Sequence, residues 1–299
     1  MARAAVVRGR LLDTAPPPGS PEWLSRMSAS KIAAVVGLSP YESRFSLWMR
    51  MAGLIPQQEQ TTVMSRGHYL EPAICKWWAD QHPDLDTMRG QSYLHETRDW
   101  QVAAPDRLVA RKDDAEVTSL LEVKSSAYAD DWGPSGSDEI PPGYRAQVLW
   151  QLDTLGLQVG HVAVLLGMGL EFRSYVIEYD PTEAAWLVEQ GEAFMASLLA
   201  SERPDIDDHG ATYEAVRAMH PDIDPTVRHE LDPALWAAYS DTKYDLDAIT
   251  GKHRQIKATL LDAMGDARIA TVADEPVLRR QAGRNGAVSL QPVNRKAVA

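Results

Sequence analysis

A short list of residues in the middle of the chain has the types and spacing to do chemistry together. Asp106 closes Ala104-Pro105-Asp106, and Glu122 and Lys124 stand two apart in Leu120-Leu121-Glu122-Val123-Lys124. Tyr144 and Gln147 follow three apart, with Gln151 four further on. A strand alternates its side chains with a period of two, so Glu122 and Lys124 project from one face. If the apolar run after Asp106 pairs with the run around Glu122, Asp106 joins them there. Two carboxylates and an ammonium on one sheet face do not suit a core, because unpaired buried charge is costly. They suit a hard divalent cation, which takes oxygen ligands. Tyr144, Gln147 and Gln151 share one face of an amphipathic helix over 144–155, a polar stripe suited to contacting a backbone or water.

The surrounding pattern predicts the elements that must hold these groups. Residues 1–20 end in Pro16-Pro17-Pro18-Gly19 and read as a flexible lead. Lys31 to Val36 reads as a short helix with Ser30 at its N-cap and Gly37 as its stop. A helix start with a free hydroxyl beside Arg26 and Lys31 can also hold a phosphate, and both readings of Ser30 stand. A second short helix spans 43–51, and a longer one spans 65–81 with Leu70, Ile74, Trp77 and Trp78 on its apolar side. That longer helix carries Glu71, followed by the awkward Pro72. Strands are predicted over 93–102, around Asp106 and Glu122, and over 161–166 and 171–179, with a closing helix from Pro181 to Leu199. The order makes a mixed α/β core. Residues 206–299 read as a mainly helical segment, bent or interrupted near Gly251, with a small β-hairpin at its end.

Composition narrows the class. The 299 residues are 44% hydrophobic and 24% charged, ordinary for a globular protein. One cysteine, Cys75, excludes an intramolecular disulfide, a four-cysteine iron–sulfur cluster and a cysteine-rich zinc site, which makes a reducing cytoplasm the expected location. No apolar run approaches the roughly 18–20 residues that span a bilayer, so no membrane partner is expected. The net charge of −12 is uneven: residues 61–250 hold 34 acidic against 14 basic side chains, while both ends are mildly basic. An acidic chain can still act on nucleic acid where cations and a local basic rim meet the phosphates.

With these residues in hand, the chain resembles the YqaJ-type viral recombinase family, phage-type 5′→3′ exonucleases related to lambda exonuclease within the PD-(D/E)xK nuclease superfamily. The resemblance covers about residues 21–200. It rests on Trp23 and Arg26, the Ser28-Ala29-Ser30 helix start leading to Gly37-Leu38-Ser39-Pro40, Gly67-x-x-x-Glu71, Pro105-Asp106, Leu121-Glu122-Val123-Lys124, and Tyr144-x-x-Gln147 with Gln151 and Gly156, in that order. It implies a restriction-endonuclease-like core over 21–205, a central mixed β-sheet flanked by helices. It also implies one or two Mg²⁺ or Mn²⁺ ions on Asp106, Glu122 and the Val123 backbone carbonyl, with Glu71 helping directly or through water. Lys124 would orient or deprotonate the attacking water, and Gln147 and Tyr144 would position water or phosphate. Arg26, Ser30, Lys31, Arg107 and Gln151 would contact DNA, the first two at a terminal 5′-phosphate.

The activity so implied is resection of double-stranded DNA ends for single-strand annealing recombination. An annealing protein is the implied partner; the family includes a ring-shaped trimer, and a monomer fits the sequence equally well. One departure stands out. The family's Ser-Pro-Asp-Gly is Ala104-Pro105-Asp106-Arg107 here, which removes one expected phosphate contact and leaves Arg107 either to meet DNA or to pair with an acid. A structure- or sequence-specific endonuclease on the same core and a non-catalytic DNA-binding accessory protein are the alternative readings.

Overall fold

The computed structural model describes residues 7–14, 16–17, 19–57, 61–113, 115–167, 169–282 and 288–293. The elements, in chain order, are β1 (Arg10–Leu11), α1 (Pro21–Leu24), β2 (Met27–Ser28), α2 (Ala29–Val35), α3 (Arg44–Met51) and α4 (Thr62–Gln81). Next come β3 (Leu85–Arg89), β4 (Tyr93–Leu94), β5 (Gln101–Ala103), β6 (Arg107–Arg111), β7 (Val117–Ser126), α5 (Pro142–Leu155), β8 (Val159–Leu166) and β9 (Glu171–Glu178). The chain closes with α6 (Pro181–Ala200), α7 (Gly210–Met219), α8 (Pro233–Met264), β10 (Ile269–Val272), β11 (Glu275–Ala282) and β12 (Val288–Pro292). Two compact units result, Met1–Ile223 and Asp224–Ala299.

The first unit is built on a five-stranded mixed sheet, β3-β6-β7-β8-β9, in which only β7 and β8 run parallel. A parallel pair needs a crossover, and α5 supplies it. The sheet is covered on both faces, as expected. Alternation along β7 divides the core: Leu121 and Val123 pack with Ile74, Cys75 and Trp78 of α4, whereas Leu120 lies with Val148, Leu149 and Leu152 of α5. Close packing is local and specific. A Cβ on Gly160 would sit 2.5 Å from Val148 Cγ1, so the strand's glycine lets α5 approach. Helix α5 starts on Pro142 and stops at Gly156, whose φ of 69° lies in the left-handed region.

A second sheet, β1-β4-β5-β2, places α2. Met27 pairs with Gln101 and Ser28 with Val102 in parallel, and Arg10 pairs with Leu94. The N-terminal lead is therefore not free of the fold, as its composition suggested: backbone pairing recruits Arg10–Leu11 irrespective of the proline run behind it. Helix α4 begins three residues earlier than expected, with Thr61 as its cap, and runs through Pro72. Helix α7 is held to the first unit by Thr212 Oγ1 donating to Ser43 Oγ at 2.6 Å, at the start of α3.

In the second unit α8 runs unbroken through Gly251 for 32 residues, so the helix is not interrupted there. One glycine costs a helix only about 1 kcal/mol, too little to end it. An antiparallel three-stranded sheet, β10-β11-β12, follows in place of a two-stranded hairpin.

Candidate active site

The antiparallel register of β6 and β7 pairs Arg107 with Leu121, so Asp106, one residue before β6, arrives beside Glu122 and Val123. There its Oδ2 accepts the Val123 N–H at 2.7 Å. In the strand pattern, Glu122 and Lys124 face α5, on the opposite side to Leu121 and Val123. Helix α5 answers them. Gln147 Nε2 donates to Glu122 Oε1 at 2.6 Å, Gln151 Nε2 donates to Glu122 Oε2 at 2.9 Å, and Lys124 Nζ donates to Glu122 Oε1 at 2.5 Å and to Gln147 Oε1 at 3.1 Å. The ammonium also lies 5.0 Å from the centre of the Tyr144 ring. The four-residue step on α5 thus becomes a clamp on the two oxygens of one buried carboxylate.

Burial, reinforced by the neighbouring Glu122 charge, raises the Asp106 pKa to about 7. Burial works against the Lys124 ammonium, but Glu122 and Asp106 outweigh it and hold its pKa above the ordinary lysine value. Burial also pushes the Tyr144 phenol up. Two carboxylates, Glu122 buried and Asp106 half-buried, share one ammonium here, an excess of negative charge that a divalent cation would neutralise.

The donor set fits such an ion: Asp106 and Glu122 supply oxygens, and the Val123 carbonyl lies on the same side of β7 as the N–H that meets Asp106. Glu71 is differently placed. Its Oε1 accepts Arg107 Nη1 at 2.7 Å, and the same nitrogen donates to the Asp106 carbonyl at 2.6 Å. Of the two roles open to Arg107, the structure shows the ion pair. Among the described residues no group of three or more His, Cys, Asp or Glu forms a metal-holding cluster, so the direct donors reduce to two carboxylates and one carbonyl.

The other sequence-derived candidates divide. Ser30 is not the N-cap: Ser28 takes that position, and the two hydroxyls lie 3.1 Å apart. Ser30 is exposed and lines a cleft of about 650 Å³ with Tyr41, Tyr128, Trp132, Tyr144 and Gln147. The expectation for Lys31 as a phosphate contact does not survive. Its side chain is buried, donating to the carbonyls of Trp23 at 2.8 Å and Arg26 at 2.7 Å, with Nζ 3.6 Å from the Trp23 ring centre. Lys31 instead anchors the segment that carries Arg26, whose side chain makes no ion pair among the described residues. Gln151 is likewise buried, so it holds Glu122 rather than reaching DNA. The aromatic cleft residues Tyr41, Tyr128 and Trp132 escaped sequence reasoning because they come from two loops, one before α3 and one between β7 and α5, that only the fold brings together.

One residue without a side chain sets the position of Asp106. Gly90 donates its N–H to the Asp106 carbonyl at 3.0 Å, and a Cβ there would fall 1.7 Å from the Pro105 carbonyl oxygen. That distance is far inside any contact, so only glycine fits.

Residues 23–158, which contain every member of this centre, match the model of the YqaJ-like viral recombinase domain. That match takes in 136 of the 299 residues, and over it the chain is similar to that family. Protein YqaJ of Bacillus subtilis strain 168 is 24% identical over 223 residues, 71% of this chain and 67% of its own length. Among solved structures, an alkaline exonuclease from Laribacter hongkongensis aligns with a TM-score of 0.45 at 22% identity, over 60% of this chain and 90% of that one. A phage-related exonuclease from Haemophilus somnus 129PT aligns with a TM-score of 0.43 at 13% identity, over 59% and 96%. At these scores the likeness of whole chains is slight, and the similarity to the YqaJ-like domain rests on the sequence match over residues 23–158. No described helix is long and apolar enough to cross a membrane.

Proposed function

We propose that the YqaJ-like domain is a metal-dependent deoxyribonuclease that resects double-stranded DNA ends 5′→3′ for single-strand annealing recombination. The observation that carries this reading is the clamped Glu122, with Asp106, Lys124, Gln147 and Gln151 gathered around it within the matched residues. Mg²⁺ or Mn²⁺ held by Asp106, Glu122 and the Val123 carbonyl would supply Lewis-acid polarisation of the scissile phosphate and a lowered pKa for bound water. The chain's own side chains do the rest. Lys124 places an ammonium where charge develops on the phosphate and can orient the attacking water. Gln147, held between Lys124 and Glu122, fixes the direction of both. Gln151 orients Glu122 from behind, and Tyr144 stands at the mouth of the cleft where the scissile strand enters. The exposed Ser30 on that cleft and the nearby Arg26 receive the terminal phosphate.

The test is an end-labelled linear duplex beside a covalently closed circle, each with Mg²⁺. Release of mononucleotides from the 5′ ends, with the circle intact, is the expected result. Cutting of the circle would replace the exonuclease reading with an endonuclease on the same core. Failure to cut either would replace it with a non-catalytic accessory protein.

A further inference from the structure

We propose that α8 pairs with α8 of a second copy of this chain as an antiparallel two-helix coiled coil. The helix is 32 residues long and buries no residue, although helices in proteins gain most of their stability from packing an apolar face. Leu235, Tyr239, Leu246, Ile249 and Ile256 are between 48% and 68% exposed. With Thr242, His253 and Leu260 they occupy positions 235, 239, 242, 246, 249, 253, 256 and 260, alternating steps of four and three. That is an a/d seam with a 3.5-residue repeat sustained over eight positions, about 38 Å of helix. Among the described residues of its own unit nothing buries this seam, and Leu260 alone is half-covered.

The register selects the occupant. Run antiparallel about a point between residues 247 and 248, the seam meets itself: Leu235 faces Leu260 of the second copy, Tyr239 faces Ile256, Thr242 faces His253 and Leu246 faces Ile249. Every apolar position meets an apolar one, and the only two polar positions meet each other, which is self-complementarity of the kind a two-fold interface requires. Charge agrees. Asp245 and Lys252, both at the g positions flanking the seam, come together across the pair, whereas a parallel pair would set Lys252 against Lys257 and stack His253 on itself. The Lys243–Asp247 ion pair within the helix lies clear of these contacts.

Sedimentation of the full chain is expected to give twice its 33.1 kDa, and Leu246→Asp with Ile249→Asp is expected to give the monomer while helicity by circular dichroism is retained. A wild type that sediments as a monomer hands the seam to a different partner and overturns the proposal, as does an assembly whose mass the double variant leaves unchanged. Lys252→Asp should weaken the dimer about 10-fold, and adding Asp245→Lys should restore it; failure of the swap to restore rejects the antiparallel register. Spin labels in a Cys75→Ser background give a direct reading. Ala248→Cys should report a short distance, and Ala237→Cys one longer by about 30 Å along the axis. Equal short distances would mean a parallel pair and would also overturn the proposal.

Discussion

Helices α5 and α8 break the usual placement of polarity in opposite directions. Most of α5 is buried, yet it turns Gln147, Gln151 and Thr154 inward. α8 buries nothing, yet it turns leucine and isoleucine outward. A misplaced glutamine on α5 is explained by a carboxylate inside the same molecule, and a misplaced leucine on α8 by the same helix in another. The difference teaches where to look for the missing partner: inside the fold when a polar group is buried, outside it when an apolar stripe is bare.

The comparison can be broken most sharply at Glu122. Glu122→Gln keeps the shape of the clamp but removes the charge, and cleavage is expected to fall by about 10³-fold or more with the melting temperature nearly unchanged. A wild-type single-turnover rate would show that α5 is not organised around a reacting carboxylate. Gln151→Leu sharpens the same point. If Gln151 were ordinary core, leucine would be neutral or stabilising; as the orienting donor to Glu122 its loss should lower the cleavage rate about 10–100-fold with little change in KM. On α8 the expectation reverses: Leu246→Ser should leave the single-turnover cleavage rate and the unfolding of the first unit as they are, which paired denaturation and cleavage curves can check.

The smallest effect concerns a buried polar group with no place in the chemistry. His161 on β8 is packed against Trp78 and near His82, with ring centres 5.0 and 6.1 Å away. Burial and then the His82 charge lower its pKa to about 4. Unfolded histidine titrates near 6.5, so the unfolded chain binds more protons between these values and stability falls as pH drops from about 6.5 towards 4. Urea unfolding at pH 7 and pH 5 should differ by about 1–2 kcal/mol from this group, and His161→Gln should remove that part of the slope.

Much of this was legible in the sequence, and what was not has physical causes. Glu122-x-Lys124 reads directly because strand periodicity is local, and Gln147 with Gln151 because helix periodicity is. Parallel pairing of Met27 with Gln101 joins segments more than 70 residues apart and leaves no local pattern. Lys31 looks like any basic residue at a helix start; its burial is decided by two carbonyls and the Trp23 face, which only the folded chain brings to it. Arg107 was undecidable because its partner, Glu71, comes from α4, 36 residues earlier in the chain. The seam of α8 was missed for a different reason: Gly251 suggested a break, and a broken helix has no continuous heptad to find.

Gly90 carries a consequence for how loss of function would look. A methyl group there must displace the Pro105 carbonyl, and with it the peptide that carries Asp106. Gly90→Ala would then yield a protein in which every charged residue of the centre is present and correct in sequence, yet the acid stands in the wrong place. Inactivity in such a variant would be a failure of dimension rather than of composition, invisible to any inventory of catalytic side chains.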